Sequence, residues 1–330
     1  MFPDLSKETF RDFSQVAYLG AFIISFDNAI VGIVLYYSHH LPALWTAFAL
    51  YWVAVALTII VSFAAVPISC CYQQPHAISE VSGVWLLAFV PLIVTSAVGS
   101  TLVPHLPSTP SQLTLTVSFL SWSLGQAICS IILCIYLWRL LTASLPSRDL
   151  IISGFVPMGP TGEGAFSIQN LSTGLGNHIE KKSYALPIGE LPRTRVSMTA
   201  VAEGINWLGV FIALCLVALA TFWMAQAALS VILRVPKRFN VGFWSCVFPF
   251  AVYTNALSRL AQDLNNSGFR GWAATCAVVT TLLWLICALA TFWQGVVKGQ
   301  PFFAPGKEGW QEKGALKERL KAGSGSDVEA

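Results

Sequence analysis

The sequence predicts an all-α, polytopic membrane bundle of about eight transmembrane helices arranged as four repeated hairpins. Three observations lead there. The 330 residues are 55% hydrophobic and only 11% charged, where a soluble domain carries about 25% charged residues, and mean hydropathy is +0.66. Eight apolar segments each reach the ~20 residues needed to cross a bilayer. Every second segment is broken by proline or rich in small polar residues, and the others are plain. Lipid offers backbone groups no partners, so the spans are helices rather than strands.

The segments cover approximately 16–38, 44–68, 82–104, 113–140, 150–175, 203–233, 241–262 and 270–296. The first, with "YLGAFIISFDNAIVG", carries small residues and an acid, Asp27. The second, "LWTAFALYWVAVALTIIVSFAAV", is uniformly apolar, as are the fourth, sixth and eighth. The third, fifth and seventh each place a proline well inside, in similar settings: Phe89-Val90-Pro91, Phe155-Val156-Pro157 and Val247-Phe248-Pro249. Small and hydroxyl residues follow each of them. Trp and Tyr sit near many segment ends (Tyr36, Tyr37, Trp45, Tyr136, Trp138, Trp207, Trp272 and Trp293), where an interfacial belt is expected.

This alternation reads as a repeated hairpin, a kinked helix followed by a plain one. An interior proline removes a backbone hydrogen bond and frees a carbonyl. In a bilayer that carbonyl must be satisfied by protein or water. The kinked helices are therefore expected inside, around a central pore, with the plain helices facing lipid. Broken helices that place a site near mid-membrane belong to transporters. Gly and Pro also serve close helix packing, which is the simpler account of any one helix taken alone.

Of the 19 lysines and arginines, 13 fall on the side of the N-terminus, five on the other side, and Arg259 within the seventh segment. Both termini are thus expected to be cytoplasmic. Residues 1–15 form a polar cytoplasmic segment, 16–299 the transmembrane domain, and 300–330 a cytoplasmic tail. In that tail "EGWQEKGALKERL" reads as a short surface helix and the ending "AGSGSDVEA" as disordered. Met1 to Gln15 is polar, so no cleavable signal is expected.

Composition also narrows the function. A net charge of +3 with no nucleic-acid motif points away from nucleic acid. The eight cysteines show no CxxC pairing, which argues against a disulfide framework or a zinc site. Cys70-Cys71 is open to palmitoylation; two membrane-facing thiols is the simpler reading. The histidines (His39, His40, His76, His105 and His178) lie at loops or helix ends without His-box spacing. An integral-membrane di-iron or haem enzyme is therefore not expected, and neither is a cofactor or a metal.

With the repeat in view, two stretches carry a family resemblance. Gly159-Pro160-Thr161-Gly162-Glu163-Gly164-Ala165-Phe166 is close to G-P-x-G-Q-G-x-F, and Phe239, Gly242, Trp244, Phe248 and Pro249 meet F-x-x-G-x-W-x-x-x-F-P. Together with the hairpins they resemble the tellurite-resistance/dicarboxylate transporter family. It includes the plant guard-cell slow anion channels, fungal malic acid transporters and fungal sulfite efflux pumps, and the likeness is greatest to the last. The resemblance covers about Asp12 to Gly299. It implies five hairpins around a pore, a phenylalanine that narrows it, and a tendency to trimers. Phe248 falls at that phenylalanine, where a bulky apolar ring gates by sterics and dewetting; packing beside Pro249 is the simpler alternative.

Three departures stand out. Only four hairpins are present, and the N-terminus reads like the linker before the family's third helix. The first segment reads Leu19-Gly20-Ala21-Phe22-Ile23-Ile24-Ser25 in place of LGxxPMG, with Asp27 following. Glu163 stands where glutamine is usual, and Phe248-Pro249-Phe250-Ala251 replaces FPMG.

The expected pore residues are Phe248, Pro249, Glu163, Gly159, Pro160, Gly162, Gly164, Phe166, Pro157, Pro91 and Asp27. Glycines at 159, 162 and 164 let a small solute approach backbone, and the prolines open the helix. Weak binding by N–H dipoles and hydroxyls suits conduction. An ionised Glu163 at mid-membrane costs about 2.5–3.5 kcal/mol and repels an anion. A protonated Glu163 is close to glutamine in shape, so transport is expected to run faster when it carries a proton. Arg259 and Asp263, four apart, read as a helical ion pair.

The function these readings favour is passage of a small anion, foremost sulfite outward across the plasma membrane, driven by gradient or potential. A C4-dicarboxylate such as malate is the alternative substrate. A non-transporting relative acting as a subunit is the alternative class, because a ring short of one hairpin is left open on one side.

Overall fold

The computed structural model describes residues 10, 13–143, 145–181, 197–236 and 239–299. The tail at 300–330, nearly all of the N-terminal segment and residues 182–196 lie outside them. Eight α-helices are described in full, in order: α1 Phe13–Tyr37, α2 Leu41–Tyr72, α3 Val90–Leu102, α4 Ser108–Thr142, α5 Met158–Glu180, α6 Met198–Leu233, α7 Trp244–Asp263 and α8 Ser267–Phe292. No strand occurs among the described residues. Each consecutive odd–even pair packs as a hairpin, giving the expected four.

Packing order divides the helices into two classes. The outer helices α2, α4, α6 and α8 are long and apolar, and much of their apolar surface points outward, as Ile60, Leu120, Phe211 and Leu289 do. In α3 every residue but Thr101 is buried. Most of α5 is buried too, although its sequence is not apolar enough to be read as a membrane span. A helix enclosed by other helices has no need of a lipid-facing surface. This chain is an integral membrane protein in which α3 and α5 are set by packing rather than by hydropathy, whereas α1 is apolar enough to cross a membrane by itself.

The inner helices run parallel, side by side, in the order α1, α3, α5, α7. Contacts fix their register. Thr95 on α3 bonds Asp27 on α1 across 68 residues, and Ser167 on α5 donates to the Ile93 carbonyl across 74. Along α5 and α7, Gly159 faces Phe248, Gly162 faces Tyr253, and Thr173 accepts from Arg259. Helices α1 and α7 make no extensive contact, so the four form an arc rather than a closed ring.

The prolines do not all sit inside helices. Residues Gly83–Ala88 and Ile151–Phe155 form 3₁₀ turns, after which α3 starts with Pro91 in its first turn and α5 starts just beyond Pro157. A helix's first turn tolerates proline because its N–H has no intrahelical partner there. The continuous kinked spans expected at 82–104 and 150–175 are thus a 3₁₀ turn joined to an α-helix. Only Pro249 lies within its helix. One outer helix has an interior proline as well, Pro67 in α2.

The carbonyls beside these breaks point at neighbouring protein. Pro91 has no N–H for the Leu87 carbonyl, and that oxygen is directed at the Cα of Gly20 on α1. The Ser153 carbonyl takes the Val156 N–H and is directed at Gly83. Such approaches leave room only for Cα–H···O contacts. The aromatics expected at the interface are exposed except Tyr136, which is buried and stacks near Trp223, ring centroids 5.5 Å apart.

Candidate functional site

A cavity of about 1050 Å³ lies along the four inner helices and follows α5 and α7. At the end where these helices begin, the walls are apolar: Leu87, Val156, Val247 and Phe248. Glu163 and Phe166 follow at mid-height, and polar side chains line the far end. Ser245, whose carbonyl Pro249 cannot serve, also lines the cavity.

Phe248 projects from α7 towards α5, where a Cβ built on Gly159 would lie 3.4 Å from its Cε1. The glycine thus lets the ring lie close against α5, across the cavity's apolar stretch. Phe250, two residues on, stacks against Phe155 instead, at 5.6 Å between centroids. Pro249 and Phe166 also line the cavity.

Glu163 lines the cavity and is 5% exposed, with Oε2 lacking any hydrogen-bond partner among the described residues. A buried polar atom in that state is costly unless water or a solute supplies the bond.

Several expected pore residues lie elsewhere. A Cβ on Gly162 would meet the Tyr253 backbone nitrogen at 3.0 Å, so this glycine brings α5 and α7 together. Gly164 is turned towards Gln126 of α4, and its carbonyl accepts from Trp122 Nε1 at 2.9 Å. Neither glycine offers backbone to a solute. Pro160 is buried within the first turn of α5, while Pro91 packs on Gly20 and Pro157 on Gly83. Asp27 is wholly buried and does not line the cavity; its Oδ2 accepts from Thr95 Oγ1 at 2.8 Å. Because Thr95 spends its proton there, Thr58 donates in the 2.8 Å bond between the two threonines. The chain Thr58–Thr95–Asp27 ties α2, α3 and α1 together.

Sequence reasoning missed the polar end of the cavity. Asn170 and Asn177 of α5, with Asn255 and Gln262 of α7, present amides there. The signal was available: 170, 173 and 177 fall on one helix face. Arg259 lines the same end, and its expected pair with Asp263 is present at 3.1 Å.

Comparison with known proteins agrees with this architecture. The sulfite efflux pump of Arthroderma benhamiae is 24% identical over 302 residues, 90% of this chain and 76% of that protein. The sulfite efflux pump of Trichophyton rubrum gives the same identity and coverage. That of Candida albicans is 25% identical over 270 residues, 75% of this chain and 52% of that protein. No solved structure matches the chain. The sequence profile of the voltage-dependent anion channel family (SLAC1) matches residues 1–292, and the chain, with its hairpins of inner and outer helices around a shared cavity, belongs to that family.

Proposed function

We propose that this protein moves sulfite outward across the plasma membrane through the cavity between α1, α3, α5 and α7, with both termini cytoplasmic. The observation that carries the reading is the cavity itself. It runs along α5 and α7 from an apolar stretch at Phe248 to a polar far end, and contains one cation and one acid among the side chains lining it. Sulfite as the substrate is supported by the relatives named above, which are sulfite efflux pumps. The protein acts as a transporter, with no chemical step, and the ion's own gradient or the membrane potential drives the flux.

The test is sulfite efflux from cells that lack their own sulfite pump and express this chain, with surface delivery confirmed. Efflux above the empty control supports the reading. A surface-delivered protein that exports no sulfite overturns it.

Glu163 sets a second expectation. As a carboxylate it repels an anion in the cavity, more strongly there than in water because the local dielectric is lower. As the acid it can donate a hydrogen bond to one. Flux of a non-titrating anion such as nitrate is therefore expected to rise as pH falls, and Glu163→Gln to hold flux at the acid level throughout. A variant that keeps the wild-type pH profile would show that Glu163 is not the responsive group.

A further inference from the structure

We propose that Arg259, with the amides around it, forms an oxyanion-binding site at the far mouth of the cavity, the last station before an exported ion leaves. The proposal rests on the anion-transport reading and adds a site and a basis for selectivity. Of the side chains lining the cavity, Glu163 and Arg259 are the two that carry formal charge, and Arg259 is the cation. It lies on α7 beyond the apolar stretch, on the side that the lysine and arginine bias assigns to the exterior.

The geometry holds the guanidinium ready. Its Nε–H donates to Asp263 Oδ2 at 3.2 Å, and Nη2 donates to Thr173 Oγ1 on α5 at 3.0 Å. Thr173 spends its own proton on the Gln169 carbonyl at 2.9 Å, so its oxygen can only accept from the arginine. The side chain is thus clamped at two points, to its own helix and to the helix across the cavity. Three of its five N–H donors have no partner among the described residues, both of those on Nη1 included.

What surrounds those donors favours an oxyanion. Asn170 and Asn177 project from α5, and Asn255 and Gln262 from α7, all lining the cavity. Each brings an NH₂ with two donors. A guanidinium fork matches two oxygens on one central atom, and amides can take the third. Sulfite and hydrogen sulfite have that shape, whereas a halide offers the fork a single centre. Asp263 keeps the site weak by sharing the positive charge, and weak binding permits release. The pair itself is a partly exposed i,i+4 pair, a kind that contributes little to stability, so either partner can be altered without a large folding cost.

The experiment uses full-length protein, purified and reconstituted into liposomes, with wild type, Arg259→Gln, Arg259→Lys and Asp263→Asn compared. Sulfite flux is measured against sulfite concentration, with chloride as competitor. The melting-temperature shift caused by sulfite is measured on the same detergent-purified samples and reads the site independently of flux. Arg259→Gln is expected to raise the half-saturating sulfite concentration about tenfold, the loss of one charge-assisted contact, and to abolish the sulfite-induced shift. Arg259→Lys keeps charge without the fork and is expected to lose discrimination between sulfite and chloride. Asp263→Asn is expected to act in the opposite direction, lowering half-saturation and enlarging the shift, because it frees the guanidinium.

A merely structural pair predicts something else: both partners' variants weaken transport and stability together. Same-direction changes in Arg259→Gln and Asp263→Asn overturn the site, and so does an unchanged half-saturation in Arg259→Gln. A wild type whose melting temperature ignores sulfite overturns it too. Absence of wild-type sulfite flux alongside an Arg259-dependent shift would instead sink the efflux reading and leave the site standing.

Discussion

Phe248→Ala is expected to raise anion flux through this protein, on the order of tenfold, which corresponds to about 1.4 kcal/mol off the barrier. The ring lines the cavity beside Val156 and Val247, where the lining hydroxyl of Ser245 is already committed to the Gly242 carbonyl. An anion there must shed water against apolar walls, and the narrower the passage the higher that cost. Alanine removes the obstruction and admits water. The fold should tolerate it, because Phe248 is only partly buried and part of its surface already faces open space. Two companions sharpen the test. Phe248→Leu should fall between wild type and alanine. Gly159→Leu should reduce flux, because a Cβ at that position already touches the ring and a longer side chain would crowd it. Flux per correctly folded molecule, in liposomes or as whole-cell current, is the quantity to compare. Equal flux in Phe248→Ala and wild type would place the constriction elsewhere.

How much of this could be read from the residues depends on whether the deciding contact is local. The long outer helices declare themselves by hydropathy alone, since lipid is uniform and demands uniform side chains. The inner helices α3, α5 and α7 are legible through the recurrence of proline, and α1 through its small residues and Asp27. The form of the break is not, because proline suits the first turn of a helix as well as a kink, and only the preceding turns decide between them. Phe248, Phe166 and Glu163 line the cavity. Gly162, Gly164 and Asp27 do not, and the reason is shared. Helix α5 is buried nearly all round, so its periodicity does not say which face meets the cavity and which meets a neighbour, and on α1 the buried face that holds Asp27 meets both. Gly164 might as well have faced solute as Gln126. Arg259 shows the same divide in one residue: its bond to Asp263 lies four residues away and was foreseen, while its bond to Thr173 spans 86 residues and was not.

Gly20→Ala should be among the most destabilising single-methyl changes in the molecule. A Cβ at Gly20 would fall almost on the Leu87 carbonyl oxygen, and 3.1 Å from Pro91 Cγ. Neither neighbour can move aside: the carbonyl is main chain, held in a 3₁₀ turn, and the ring of Pro91 is covalently fixed to the same stretch. Helix α1 must therefore back away from α3. Overpacking of this kind costs about 1–3 kcal/mol and at times more, and the lost Cα–H···O contact adds perhaps half to one. The damage also reaches beyond the point of collision. Asp27 lies two turns further along α1, and its bond to Thr95 depends on the same interhelical distance. Stretching that bond strips a buried acid of the single hydrogen bond found for it. The same helix supplies its own control. Gly32 has nothing within 4 Å of its would-be Cβ, so Gly32→Ala should be neutral or stabilise by up to about 1 kcal/mol through helix propensity. The two variants make the same chemical change in one helix and differ only in what the methyl group meets. Melting temperature and the monodisperse fraction of purified protein should thus fall for residue 20 and hold or rise for residue 32. Equal behaviour would mean that α1 is free to shift against α3, and that the register set by Gly20, Leu87, Asp27 and Thr95 does not hold the first hairpin in the arc.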